Sequence, residues 1–316
     1  MYSTTGTDAS NYVSTFNTAF YFIAGISLIL LIGLTLTMLY FVFRYNKRKN
    51  KVAVQNEGNT FLEITWTVVP IILALFMFYF GWEGWKPMSK PPKNAMTITT
   101  TARMWSFSFR YENGKESPDL IVPVNTPVKI NLVSLDVIHS LFIPAYRIKS
   151  DIIPGREKSM WFIPEREGNF DLYCAEYCGL RHSYMKSMVT VLSKEKFAAW
   201  LGDTTTLANA GTGSTPGEEG LSIMRIQGCL ACHSSDGSKI VGPTYLNLFG
   251  SQQVVIRNGV EVKVTADEAY IKQMILDPAS QAVKGYPKGL MQSYKGKITD
   301  TDLAKIIEYL KSLNEK

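Results

Sequence analysis

The chain has 316 residues, 46% of them apolar, with 33 Lys and Arg against 27 Asp and Glu for a formal net charge of +6. That length accommodates two or three folded units. The positive balance does not mark a nucleic-acid binder, because five of the basic residues share one short segment and no reader motif accompanies them.

The apolar residues gather near the N-terminus. Residues 20 to 43 (FYFIAGISLILLIGLTLTMLYFVF) carry no charge. As a helix they reach roughly 36 Å, enough for a hydrocarbon core of about 30 Å. A second uncharged run, 64 to 82, lies between Glu63 and Glu83 and is just long enough to cross again, with Pro70 tolerated in a membrane helix. The pattern predicts a transmembrane hairpin within residues 1–93. A cleavable signal would need a basic leading region, and residues 1 to 19 contain no Lys or Arg. Between the spans lie Arg44, Lys47, Arg48, Lys49 and Lys51, a cluster expected to stay cytoplasmic. Both ends of the chain then face outward from a bacterial inner membrane or its equivalent, in contact with lipid, and the rest folds in an oxidising compartment.

From Ala95 to Ser193 the sequence becomes short β-rich runs punctuated by Gly, Pro and Asn, which predicts an all-β sandwich or barrel over residues 94–202. Val128, Ile130 and Leu132 alternate with polar residues, so one face is buried. Residues 203–219 (DTTTLANAGTGSTPGEE) have the small, polar composition of a tether. A final unit, 220–316, ends in a predicted helix in which Leu303, Ile306, Ile307 and Leu310 recur at helical spacing behind a T-x-x-D cap at Thr299.

Only three His and four Cys occur, and each falls in one of two motifs. The first joins His139 to Cys174, Glu176, Cys178, His182 and Met185 in CAEYCGLRHSYM. Two thiolates, two imidazoles and a thioether are soft to borderline ligands that favour copper over magnesium or calcium. A mononuclear blue-copper site needs one Cys; the second argues for two coppers bridged by both sulfurs. A structural zinc or a Cys174–Cys178 disulfide would use the same residues, but neither accounts for Met185 beside His182. The second motif is Cys229-Leu-Ala-Cys232-His233, the attachment pattern for c-type haem, in which both thiols bond the vinyl groups and the imidazole ligates iron. Zinc or a redox dithiol could use its Cys-x-x-Cys part.

The hairpin, ARMWSFSFRY, DVIHS, KSDIIPGR and CAEYCGLRHSYM together resemble subunit II of cytochrome c oxidase over residues 20 to 201. The resemblance implies a cupredoxin-like Greek-key domain with a binuclear copper centre, termed CuA. Its ligands would be His139, Cys174, Cys178, His182, Met185 and the Glu176 carbonyl. It also implies a magnesium or manganese ion at the interface with subunit I, held by the Glu176 carboxylate. It gives Glu63 the entrance of a proton channel into subunit I, and Trp105 the role of an exposed tryptophan that receives electrons; the second aromatic of that pattern is Phe107 here.

The C-x-x-C-H motif, VGPTYLNLFG and the capped last helix are similar to an all-α class I cytochrome c. Among Met224, Met274 and Met291, the last lies in the Gly-flanked loop KGLMQSYKG ahead of the final helix, where such cytochromes place the axial Met. Met274 sits beside Ile271 and Ile275 at core spacing. The family often follows the Met with Pro, and here Gln292 follows.

Taken together the two resemblances imply a caa(3)-type, proton-pumping oxidase subunit that receives electrons through its own haem c. Subunit I, where oxygen becomes water, is the expected partner. Subunit III and a quinol-oxidising complex or cytochrome c donor would accompany it. A nitric-oxide or nitrous-oxide reductase component and a membrane-anchored copper carrier or haem sensor are the rival readings.

Overall fold

The computed structural model describes residues 9–52, 55, 58–203 and 216–314. Two long helices come first, α1 (Val13–Arg44) and α2 (Thr60–Trp85), both apolar and long enough to cross a membrane. Each exceeds the uncharged run that announced it, because a helix continues past its apolar core while its backbone hydrogen bonds are satisfied. Asn59 caps α2 by accepting from the Leu62 N–H at 3.1 Å.

Both helices rise from one end of the β unit. Ahead of α1, Ala9 and Tyr12 are buried, the Asn11 N–H donates to the Ile163 carbonyl at 3.3 Å, and Tyr12 meets Trp161 edge to face. After α2, the Pro87 carbonyl accepts from the Trp161 indole at 3.2 Å. Trp161 therefore stands at the foot of both helices, which keeps their outer ends on the same side.

The β unit is two five-stranded sheets. One runs β3-β2-β1-β5-β8, built from Glu116–Ser117, Ser106–Tyr111, Met96–Arg103, Val128–Ser134 and Lys158–Phe162. The other runs β4-β10-β9-β6-β7, from Leu120–Pro123, Lys186–Leu192, Gly168–Cys174, His139–Ile143 and Ile148–Ile152. The parallel pairs β1/β5 and β4/β10 join strands distant in sequence, which produces a Greek-key-like sandwich. Fully buried Ile98, Phe109, Ile130, Leu132, Leu141 and Leu172 fill its core, each contributing about 1.5–3 kcal/mol of transfer free energy. Val128, Ile130 and Leu132 lie on the buried face, as their alternation requires. A short helix, α3 (Lys194–Gly202), closes the unit.

Residues 204–215, most of the expected tether, lie outside the described residues. Within its last part α4 (Pro216–Ile226) has begun. The C-terminal unit packs α4 against α6 (Asp300–Ser312), with α5 (Glu268–Leu276) alongside. Thr299 and Asp302 form the capping box, and Leu303, Ile306, Ile307 and Leu310 are buried with Met224 and Ile271. The helical reading holds, with one addition: β11 (Gln252–Arg257) and β12 (Val260–Thr265) form a hairpin joined by β13 (Ala282–Val283). Its signal is the Asn258-Gly259 pair, a two-residue turn sequence, between the run Val254-Val255-Ile256 and the alternating Val260, Val262 and Val264.

Candidate metal centre and haem cavity

Strand pairing assembles the first site. In the β6/β9 ladder Leu141 lies opposite Cys174, which sets His139, at the start of β6, beside the end of β9. The chain then loops through Cys178 and a single turn at His182–Tyr184 and returns along β10. The Cys174 N–H donates to the Met185 carbonyl at 3.0 Å, pinning the loop's two ends together.

The six expected donors converge. Both thiols are free, their sulfurs 3.7 Å apart. His139 Nδ1 lies 3.9 Å from Cys174 Sγ, His182 Nδ1 3.5 Å and Met185 Sδ 3.7 Å from Cys178 Sγ, and the Glu176 carbonyl 3.3 Å from Cys174 Sγ. His139, Cys174, Cys178 and Met185 are buried. A disulfide at about 2.05 Å does not match the sulfur separation. Six convergent donors, one a buried thioether, exceed the four a structural zinc takes. The soft, sulfur-rich set therefore fits copper.

Electrostatics prepares one thiol. Burial raises the pKa of Cys174, but hydrogen bonds from His139 and from the chain outweigh it and bring the value down to about 6. Burial and the neighbouring Cys174 charge push Cys178 up to about 12. Burial disfavours a charged His139, yet hydrogen bonds to Asp136 and Cys174, with their negative charge, raise it to about 8.

Asp136 was missed by sequence reasoning, although its place three residues before His139 was the available signal. Its Oδ1 lies 2.7 Å from His139 Nε2, fixing the tautomer that turns Nδ1 toward the sulfurs, while Oδ2 accepts from the Met104 N–H at 2.7 Å. Trp105 is 7% exposed, unlike the exposed tryptophan the resemblance implies. Its indole N–H donates to the Cys178 carbonyl at 3.0 Å. The Glu176 carboxylate is half exposed, 3.9 Å from Lys149 Nζ. Glu63 lies in the first turn of α2, remote in sequence from both sites and next to the basic loop.

The C-terminal unit encloses a cavity of ≈170 Å³ lined by Cys229, Cys232, His233 and Met291 among others. Cys229 begins a single 3-10 turn after α4, which sets Cys232 one turn on. His233 Nδ1–H donates to the Pro243 carbonyl at 2.7 Å, and burial lowers its pKa, so the imidazole stays neutral with Nε2 as the remaining ligand atom. Gly242 passes so near that a Cβ there would lie 2.6 Å from His233 Cε1. Neither Gly242 nor the Pro243 carbonyl was singled out from sequence, since both act through backbone. Burial pushes the Cys229 thiol up to about 12 and raises Cys232. Of the other methionines, Met274 Sδ accepts from Gln281 Nε2 at 3.4 Å and Met224 is buried in the core, both at the cavity edge. The combination of thiol pair, adjacent neutral imidazole and downstream Met beside one apolar cavity fits a c-type haem.

A β sandwich with a sulfur-rich metal cluster, two membrane-length helices and a helical C-x-x-C-H unit defines a membrane-anchored metalloprotein. Family profiles match all three parts: cytochrome c oxidase subunit II, transmembrane domain, over residues 3–81; its periplasmic domain over 115–192; and cytochrome c over 218–314. Cytochrome c oxidase subunit 2 of Cereibacter sphaeroides is 31% identical over 210 residues, 54% of this chain and 69% of the relative. Proteins of the same name from Alkalihalophilus pseudofirmus (29% identical, 92% of this chain and 85% of the relative) and Bacillus sp. strain PS3 (30% identical, 86% and 80%) match through the cytochrome part as well. The chain belongs to the cytochrome c oxidase subunit II family, in the form that carries a C-terminal cytochrome c domain. It is thus a membrane protein with a periplasmic domain and a component of a haem-copper terminal oxidase. Membership implies copper in the sandwich, haem in the cytochrome unit, and subunit I as partner.

Proposed function

We propose that this chain is the electron-input subunit of a caa(3)-type, proton-pumping oxidase of a bacterial inner membrane, serving an oxygen-reducing site in subunit I. The observation that carries the reading is the convergence of two free thiols, two imidazoles and a buried thioether on one point of the sandwich. When bound, a copper pair there and a covalent haem in the cytochrome cavity would supply one-electron chemistry between an upstream donor and subunit I.

The chain's own residues do the positioning. Cys174 and Cys178 would hold the copper pair together with His139, His182, Met185 and the Glu176 carbonyl. Cys229 and Cys232 would bond the haem, and His233 and Met291 would ligate its iron. Asp136 holds His139 in its ligating tautomer, and the Pro243 carbonyl does the same for His233. Trp105, bonded to the Cys178 carbonyl, is the assigned input residue, and its burial suits a donor unit of the same chain. Tethering keeps that donor at an effective concentration of about millimolar. Glu63, at the cytoplasmic end of α2, is assigned the proton-channel entrance, and the Glu176 carboxylate the magnesium or manganese ion shared with subunit I. Subunit III, lipid, and a quinol-oxidising complex or soluble cytochrome c complete the expected partners.

Metal analysis with EPR and absorption spectra of the purified oxidase tests this reading. Two coppers in a mixed-valence signal and one covalent haem per chain support it. One zinc and no copper at Cys174 and Cys178 overturns it.

A further inference from the structure

The sandwich and the cytochrome unit meet at the turn between β1 and β2. Only Met104 and Trp105 separate these strands, and Arg103 lies opposite Ser106 at their ends. Arg103 is 8% exposed. Its Nη2 donates to the Ile226 carbonyl at 3.2 Å and to Gln227 Oε1 at 3.3 Å, and its guanidinium lies 5.6 Å over the Tyr294 ring. Tyr294 in turn donates its hydroxyl hydrogen to the Gln227 carbonyl at 3.0 Å, which makes one rigid receptor of these groups. Gly228 approaches so closely that a Cβ there would run into the Ser106 hydroxyl. Ala231, Cys232 and Val241 pack against the sandwich core, and Arg103 and Met104 help to line the cavity that holds Cys229, Cys232 and His233.

The other side of this turn is bonded twice to the metal cluster. The Met104 N–H reaches the Asp136 carboxylate that holds His139, and the Trp105 indole reaches the Cys178 carbonyl. The groups that Arg103 meets in the cytochrome unit are all uncharged: a carbonyl, an amide and a phenol ring. Residues 217 to 316 carry 12 basic and 11 acidic side chains, so long-range steering toward the sandwich is weak. Contacts of a guanidinium with neutral partners are short-ranged and little screened by salt when buried.

We propose that the β1–β2 turn is a docking edge for the chain's own cytochrome unit, latched by Arg103 onto the Ile226–Gln227–Tyr294 receptor, and that this latch holds the Cys229–Cys232 turn against the copper domain in a salt-insensitive way. Arg103 is thus a positioning residue for electron transfer within the chain, an inference that rests on the proposed function.

The test uses the whole oxidase with photoinjection of an electron at the haem, followed optically at haem and copper. Arg103→Leu lowers the intrachain transfer rate roughly tenfold or more, as losing about 1.4 kcal/mol of docking requires, while copper EPR, covalent haem content and direct reduction of copper by a small-molecule donor stay unchanged. Backbone deuterium exchange at 103–106 and 226–228 rises in the same variant. The wild-type rate is flat from low to high salt, and Gln227→Glu, which gives the latch a charged acceptor, makes it salt-dependent. Should Arg103→Leu lose its copper or haem, Ser106→Trp, which wedges the units apart where Gly228 passes the Ser106 hydroxyl and leaves Arg103 in place, carries the same expectations. A rate and an exchange pattern unchanged in either folded variant, or a wild-type rate that falls steeply with salt, overturns the latch. Absence of the copper pair by metal analysis would instead overturn the functional reading.

Discussion

The copper-type cluster and the haem-type cavity solve the same problem, holding a redox group, by different physical means. In the sandwich, strand register and one loop bring six donors within 4 Å of a neighbour, five of them side-chain atoms. In the cytochrome unit the residues line a cavity of ≈170 Å³, and shape is kept by core packing and by one close backbone pass at Gly242. The difference teaches that an ion-sized site is governed by ligand identity and orientation, whereas a cavity for a large group is governed by volume.

The sharpest way to break the comparison is at the ligands. Cys174→Ser removes one of the two sulfurs proposed to hold copper, and the mixed-valence copper signal and oxygen consumption of the assembled oxidase are lost entirely, while the covalent haem seen on a denaturing gel remains. Next is orientation. Asp136→Asn keeps the shape but removes the carboxylate from His139 Nε2, and copper affinity by competition with a chelator falls about 10–100-fold. On the cavity side, Gly242→Ala drives a methyl group into the His233 ring, an overpacking cost of about 1–3 kcal/mol, read as a lowered thermal midpoint and a perturbed haem spectrum with copper unchanged. The smallest effect is expected at an exposed helix cap. Thr299→Ala breaks the capping box of α6 and costs about 1 kcal/mol, a shift of a few degrees in the cytochrome unit's unfolding with no spectral change. If Gly242→Ala disturbed copper as much as haem, the two sites would not be separately built.

The hairpin was readable because residues 20 to 43 run without a charge for long enough to cross a hydrocarbon core, a length that the buried helix of a small domain rarely reaches. The β unit showed through Val128, Ile130 and Leu132, whose alternation survives as a buried face. The Asn258-Gly259 hairpin carries a readable turn signal, but it lies among helical segments in a unit whose C-x-x-C-H motif and capped helix resemble an all-α fold. Trp105 illustrates the opposite limit: β propensity placed it in a strand region, but its burial depends on which neighbour covers the turn.

By itself the sequence determined the ligand types, their spacing, the two spans and the helix cap, because each is encoded by residues close together along the chain. Only the tertiary structure decided that Asp136 orients His139, that Gly242 makes room for His233, and that Arg103 reaches Ile226, Gln227 and Tyr294 across the unit boundary. Arg103 and its partners lie more than a hundred residues apart, Gly242 acts through its backbone, and the three-residue step from Asp136 to His139 does not by itself orient the ring; such geometry exists only once the strands and helices have packed.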